Sequence, residues 1–216
     1  MSDVTALQSA LTAALGERIR NQKVDRGQLT LEVGAADLST VMKQLRDEPA
    51  LAFSIMVDLL GMDYRGFDNA WEGPRFAVVY NLLSIEHNHR VRVRVYCPND
   101  DFPAVDSVID TWPVANWYER EAFNLYGIVF QGHPDLRRIL TDYGFHGYPL
   151  RKDFPMTGYV EVRYDDDAKR VVYEPVKATE WRNWDFLSPW EGAEYARPGE
   201  GYAYGLPGDE KAEPKE

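Results

Sequence analysis

The run HRVRVRVY (His89–Tyr96) admits few conformations. Valine and arginine alternate without a break, so apolar branched side chains and charges take turns. In a β-strand, successive side chains point to opposite faces. Val91, Val93 and Val95 then reach a core, and Arg90, Arg92 and Arg94 stay on a polar face. On a helix the same residues would spread charge around the whole circumference. Such a strand needs neighbours, and the residues before it supply them. Phe76–Ile85 is mostly apolar and joins the run through the short polar link EHNH, which suits an antiparallel hairpin. A further strand is expected within Phe53–Tyr64. Another is QLTLEV (Gln28–Val33), where Leu29, Leu31 and Val33 alternate.

The helical pattern is also legible. Val4, Leu7, Leu11, Leu15 and Ile19 recur at three- and four-residue steps and predict an amphipathic helix. Asp37 is an N-cap candidate for a second helix with Leu38, Val41, Met42 and Leu45 on one face and Pro49 beyond its end. Val105, Val108, Ile109 and Trp112 suggest a short helix stopped by Pro113, and a further helix runs from about Val114 to Tyr126. Helices and strands in this order predict an α+β domain over residues 1–126, with the helices packed on one antiparallel or mixed sheet. A domain of that size can bury its own core.

From Gly127 the character changes. The last 90 residues hold 8 of the 13 prolines, 10 of the 16 glycines and 15 aromatics. Disordered chains are poor in aromatics, and a structureless loop of that length is improbable in a compact domain. The expectation is a long, irregular but ordered C-terminal arm over 127–216, its aromatics buried against something else. Within it, YVEVRY and RVVYEPV alternate and can pair as a hairpin about Asp166-Asp167-Ala168-Lys169. The last ten or so residues, within GLPGDEKAEPKE, are expected to be loose.

Composition narrows the function. The net charge of −11 argues against a nucleic-acid partner, because phosphate contacts need an excess of lysine and arginine. The arginine stripe at Arg90, Arg92 and Arg94 would suit an RNA-binding module if aromatics interleaved it, and in the sequence none does. No apolar run approaches the roughly 20 residues of a membrane span. The N-terminus lacks a basic, apolar leader, so a chain working where it is made, in a bacterial cytoplasm, is expected. One cysteine, Cys97, can make neither an intrachain disulfide nor a cluster ligand set, and the four histidines show no metal-ligand spacing. No cofactor is therefore expected in this chain.

The candidate chemistry lies in EREAFNLYGIVFQGHPDLRRIL (Glu119–Leu140). Glu119, Glu121 and His133 could serve an independent small enzyme as acid and base. Adjacent helical residues point about 100° apart, however, so the two glutamates do not face each other. The better expectation is structural ion pairing of Glu119 and Glu121 with Arg137, Arg138, Arg151 or Lys152.

This segment resembles the signature of the 30-kilodalton subunit family of respiratory NADH:quinone oxidoreductase (complex I). Glu119, Arg120, Glu121, His133, Arg137, Ile139 and Leu140 match, and Asn124 stands where the family usually has Asp or Glu. GYPLRKDFPMTGYVEVRYDDDAKRVVYEPV and FLSPWEG extend the likeness, in its alphaproteobacterial and mitochondrial branch, over roughly Phe53–Gly192. The resemblance implies a non-catalytic scaffold subunit of the hydrophilic arm, supporting electron transfer from NADH to quinone. It implies no cofactor of its own, FMN and iron–sulfur clusters belonging to partner subunits. It also implies a hetero-oligomer, chiefly with the large 49-kilodalton-like subunit, peripheral at the cytoplasmic face of the bacterial inner membrane. The arm then becomes an interface element, with Arg151, Lys152, Phe154, Trp181, Trp184, Phe186 and Trp190 as its contact candidates.

Overall fold

The computed structural model describes residues 4–66 and 71–176. The chain divides into two compact units, residues 1–155 and 156–216. The division expected at Tyr126 thus falls at Pro155, because the segment after the last helix packs back on the first unit. Trp181, Trp184, Phe186, Trp190 and the expected loose tail lie outside the described residues.

The first unit is built on one mixed five-stranded sheet of order β1-β2-β5-β4-β3. Its strands are β1 (Ile19–Asp25), β2 (Gln28–Val33), β3 (Ile55–Asp63), β4 (Phe76–Ser84) and β5 (His89–Tyr96). The β2–β5 pair is parallel and the other pairs are antiparallel. Helices α1 (Val4–Leu15), α2 (Leu38–Asp47) and α3 (Ala115–Tyr126) accompany the sheet. The fold is α+β, as expected.

The alternation in β5 decides which face is covered. Val91, Val93 and Val95 are buried and pair with Leu82, Tyr80 and Val78 of β4 and with Leu29, Leu31 and Val33 of β2. Leu7, Leu11 and Leu15 of α1 and Leu38, Val41, Met42 and Leu45 of α2 join the same core. Each such fully buried side chain contributes about 1.5–3 kcal/mol. Helix α3 crosses β3 at Gly61, where a Cβ would meet the Tyr126 ring at 2.5 Å.

Three local expectations are corrected. The first helix stops at Leu15 rather than reaching Ile19, because Gly16 turns into the left-handed region at φ +56°. Ile19 instead opens β1, an exposed edge strand with no apolar alternation to announce it. Arg26 and Gly27, both at positive φ, turn β1 into β2. The segment around Val105–Trp112 is not a helix. Ala104–Asp106 forms a short strand, β6, parallel to β7 (Val129–Gln131), and a single turn from Val108 to Trp112 follows. Asp37 precedes α2 as expected but makes no side-chain capping bond.

In the second unit, β8 (Val160–Asp165) and β9 (Arg170–Pro175) form an antiparallel hairpin. Asp165 Oδ1 accepts the backbone N–H groups of Asp167 and Ala168 and so shapes the turn.

Candidate functional site

Helix α3 carries a buried polar cluster. Its inward face presents Glu119, Arg120 and Asn124, all buried, while Glu121 is exposed and forms no ion pair among the described residues. Glu119 accepts the Ser107 hydroxyl at 2.6 Å and the Val108 backbone N–H at 2.8 Å. It thereby ties α3 to the segment after β6. Burial pushes its carboxyl up to about 7, against the opposing pull of those two hydrogen bonds.

His133 Nε2 lies 4.0 Å from the Glu119 carboxylate. Its ring is otherwise engaged: Nδ1 accepts the Asp135 N–H at 3.0 Å, and Nε2 donates to the Asn116 carbonyl at 3.2 Å. That pattern assigns the proton to Nε2. The pair is a contact within the core. Both side chains are closed to solvent, so neither meets a substrate.

The expected ion pairs of Glu119 and Glu121 with Arg137, Arg138, Arg151 and Lys152 do not form. A buried ion pair must recover the cost of desolvating both charges, and Glu119 is satisfied by uncharged donors instead. Arg120 pairs with Asp135 at 3.3 Å and stacks on Trp117, and Arg137 meets the same Asp135 at 3.0 Å near the surface.

Asn124 explains the segment that follows. Its Oδ1 accepts three successive backbone N–H groups, from Ile139 and Leu140 at 2.8 Å and from Thr141 at 3.2 Å. Its Nδ2 donates to Thr141 Oγ1 at 2.9 Å. A single buried amide therefore fixes the Arg-Arg-Ile-Leu turn.

The end of α3 is closed by the same returning chain. The last carbonyls of a helix lack internal partners and carry the negative end of its dipole. Here the Asn124 carbonyl accepts Arg138 at 3.5 Å, the Leu125 carbonyl the Leu150 N–H at 3.1 Å, and the Tyr126 carbonyl Arg151 Nε at 2.7 Å. Arg138 also bonds the Gly147 carbonyl and lies over Tyr148 and Phe145. The Arg151 guanidinium sits against Phe76 and Tyr148. Gly127 caps the helix at φ +74°, and a Cβ there would meet Tyr148 and Arg151 at 2.6 Å.

Asp63, which sequence reasoning missed, anchors the far end of this segment. It closes β3, buried, and accepts Arg75 Nε at 2.9 Å, Arg75 Nη2 at 2.8 Å, and the backbone N–H groups of Arg65 at 3.0 Å and Lys152 at 2.9 Å. Burial would raise its carboxyl, but Arg75 and the two backbone donors outweigh that and hold it below its usual range. Asp153 bridges Arg75 and Arg65, both at 2.8 Å. Phe154 stacks on Phe145. Arg151, Lys152 and Phe154 therefore dock on their own domain. No local pattern announces the link from Asp63 to Lys152, which lies 89 residues away.

The arginine stripe is only partly free. Arg94 pairs with Glu32 at 3.1 Å and donates to Tyr64, and Arg92 bonds Asn81 and Gln28. Tyr64, Trp71 and Tyr96 form an aromatic group beside Arg94, assembled from three separate segments. Cys97 is buried, and burial pushes its thiol up to about 12, the opposite of a reactive thiolate. Among the described residues, no three His, Cys, Asp or Glu side chains are grouped to hold a metal ion. No helix there is long and apolar enough to cross a membrane.

Residues 31–160 match the family model described as the 30 Kd subunit of the respiratory-chain NADH dehydrogenase. The chain belongs to this family. The matched residues include α3 and the segment that docks back on it. Among curated relatives, the C subunit of NADH-quinone oxidoreductase from Ralstonia nicotianae is 59% identical over 178 residues, covering 82% of this chain and 89% of that protein. The protein of that name from Burkholderia thailandensis is 59% identical over 176 residues, covering 81% and 88%. A chain in the structure of the membrane-bound sulfane sulfur reductase, an archaeal respiratory membrane complex, shares the fold. Its TM-score is 0.57 at 24% identity, over 78% of this chain and 98% of that one.

Proposed function

We propose that this 30 Kd family member is a scaffold subunit of a proton-pumping NADH:quinone oxidoreductase. It holds the hydrophilic arm together while other subunits carry FMN, the iron–sulfur clusters and the reaction. The observation that carries this reading is the fate of the signature. Asn124, Arg138 and Arg151 fasten residues 137–155 to the end of α3, while Glu119, Arg120 and His133 tie α3 to the segments after β6 and β7. A signature engaged in this way shapes a rigid surface; it does not offer reactive groups to a substrate.

The relatives, named as NADH-quinone oxidoreductase subunits, support a place in the same assembly. The finer assignment is our reading of the resemblance. The large 49-kilodalton-like subunit is the chief neighbour, the position is peripheral on the cytoplasmic face of the inner membrane, and residues 156–216 reach across a neighbouring protein of the complex. The aromatics Trp181, Trp184, Phe186 and Trp190 would supply contact area there, at about 150–250 Å² per ring.

The test is affinity purification of the tagged full-length chain from host membranes, with NADH:quinone activity assayed in the eluate and in the isolated chain. The expected result is co-purification of flavin and iron–sulfur subunits, cross-links to the 49-kilodalton-like subunit, and activity in the assembly alone. NADH oxidation or hydrolysis by the isolated chain would favour an independent enzyme and end the proposal.

A further inference from the structure

The hairpin of the second unit has two unlike faces. In the β8–β9 register, Val160 lies opposite Pro175, Val162 opposite Tyr173, and Tyr164 opposite Val171. Paired residues share a face, so these six side chains form one continuous apolar surface. The other face carries Glu161 opposite Glu174 and Asp165 opposite Arg170, with Arg163 bonded to Glu174 at 3.1 Å and Asp165 at 3.3 Å. On the apolar face, Val160, Val162, Tyr164, Val171 and Tyr173 are 53–64% exposed.

A lone two-stranded hairpin is marginally stable in water. Half-exposed side chains in that number present on the order of 500 Å², as large as the largest apolar patch of a typical monomer. That is also more than half of one partner's share, about 800 Å², of a standard protein interface. Charge decides what covers it. The chain carries −11, and the hairpin's turn holds Asp165, Asp166 and Asp167 in a row. A second copy would bring like charge against like, and an anionic lipid surface would repel it too. A protein surface rimmed by lysine or arginine attracts it.

We propose that the apolar face of the β8–β9 hairpin docks on a flat apolar patch, bordered by basic side chains, of another subunit of the same complex. This rests on the scaffold reading above and assigns a specific face to it. Tyr164 is its anchor, offering a ring to the patch and a hydroxyl to the rim.

The experiment uses the full-length chain in the purified complex, with a photoreactive phenylalanine analogue in place of Tyr164 or, as a control on the opposite face, Val172. The expected adduct from position 164 is a peptide of another subunit of the complex with Lys or Arg nearby in its sequence, at least tenfold above that from position 172. Val162→Asp should lower co-purification of the neighbouring subunits at least tenfold, and Val172→Asp less than twofold. Adducts to a second copy, to this chain itself or to lipid overturn the proposal. So do equal yields from the two positions or a Val162→Asp chain that assembles normally. If the wild-type chain co-purifies but these outcomes fail, the docking face is wrong and the scaffold reading stands. If the wild-type chain does not co-purify at all, the scaffold reading itself fails.

Discussion

Two buried side chains of α3 show how much one polar atom can hold. Asn124 Oδ1 accepts three consecutive backbone N–H groups. Asn124→Leu would strand them, each unsatisfied buried donor costing about 1–3 kcal/mol, and should destabilise the first unit by more than about 3 kcal/mol in urea unfolding. Asn124→Asp should be tolerated within about 1 kcal/mol, because a carboxylate accepts the same three bonds and the Thr141 hydroxyl can turn to donate. Equal losses for both variants would refute it. Glu119 makes a pH prediction. Its folded pKa of about 7 stands above its ordinary 4.5, so between those values the unfolded chain has lost a proton that the native chain keeps. Stability should therefore fall as pH rises from about 4.5 to 7 and level off above. Asp63 acts in the opposite sense: its depressed carboxyl contributes fully above its ordinary pKa, and the contribution is lost as pH falls through the folded value. Glu119→Gln should flatten the slope between pH 4.5 and 7 and leave the acid limb; an unchanged slope would mean another group titrates there.

The next scale is that of the helix end and the segment returning to it. Arg151 links the Tyr126 carbonyl to the stack of Phe76 and Tyr148. A hydrogen bond from a charged donor contributes about 1.5–3 kcal/mol and a partly desolvated cation–π contact about 0.5–2 kcal/mol. Arg151→Ala should cost about 2–4 kcal/mol and release residues 148–155, seen as faster amide exchange at Leu150. Arg151→Lys should not restore protection, since an ammonium cannot keep a planar stack and the carbonyl bond together. Rescue by lysine would show that charge alone matters. At this scale β-strand alternation was easy to read and helix length was not: an apolar residue at the right interval, Ile19, belongs to the next strand once Gly16 has turned the chain.

For the whole molecule, the division at Pro155 sets the expectation. A chain truncated before Thr157 should unfold cooperatively with the stability of the intact first unit, because Asp63, Asn124, Arg138 and Arg151 keep their partners within residues 1–155. On the scaffold reading it should no longer co-purify stably with the complex. A truncated chain that still assembles would move the interface to the first unit. One that fails to fold would show that the second unit stabilises the first.

The sequence by itself determined the sheet's covered face, the apolar stripes of α1 and α2, the extent of α3, and the turn between β8 and β9. These depend on period and on turn chemistry within a few residues. It also carried the family, through the Glu119–Leu140 signature. What only the tertiary structure decided is what that signature does. The ion pairs expected from its charges are replaced by a carboxyl satisfied by Ser107 and Val108, an amide gathering three N–H groups, and two arginines closing a helix end. Charge complementarity in a sequence does not say which groups are buried. Burial sets the cost of a charge, and it arises only when segments as distant as Asp63 and Lys152 meet.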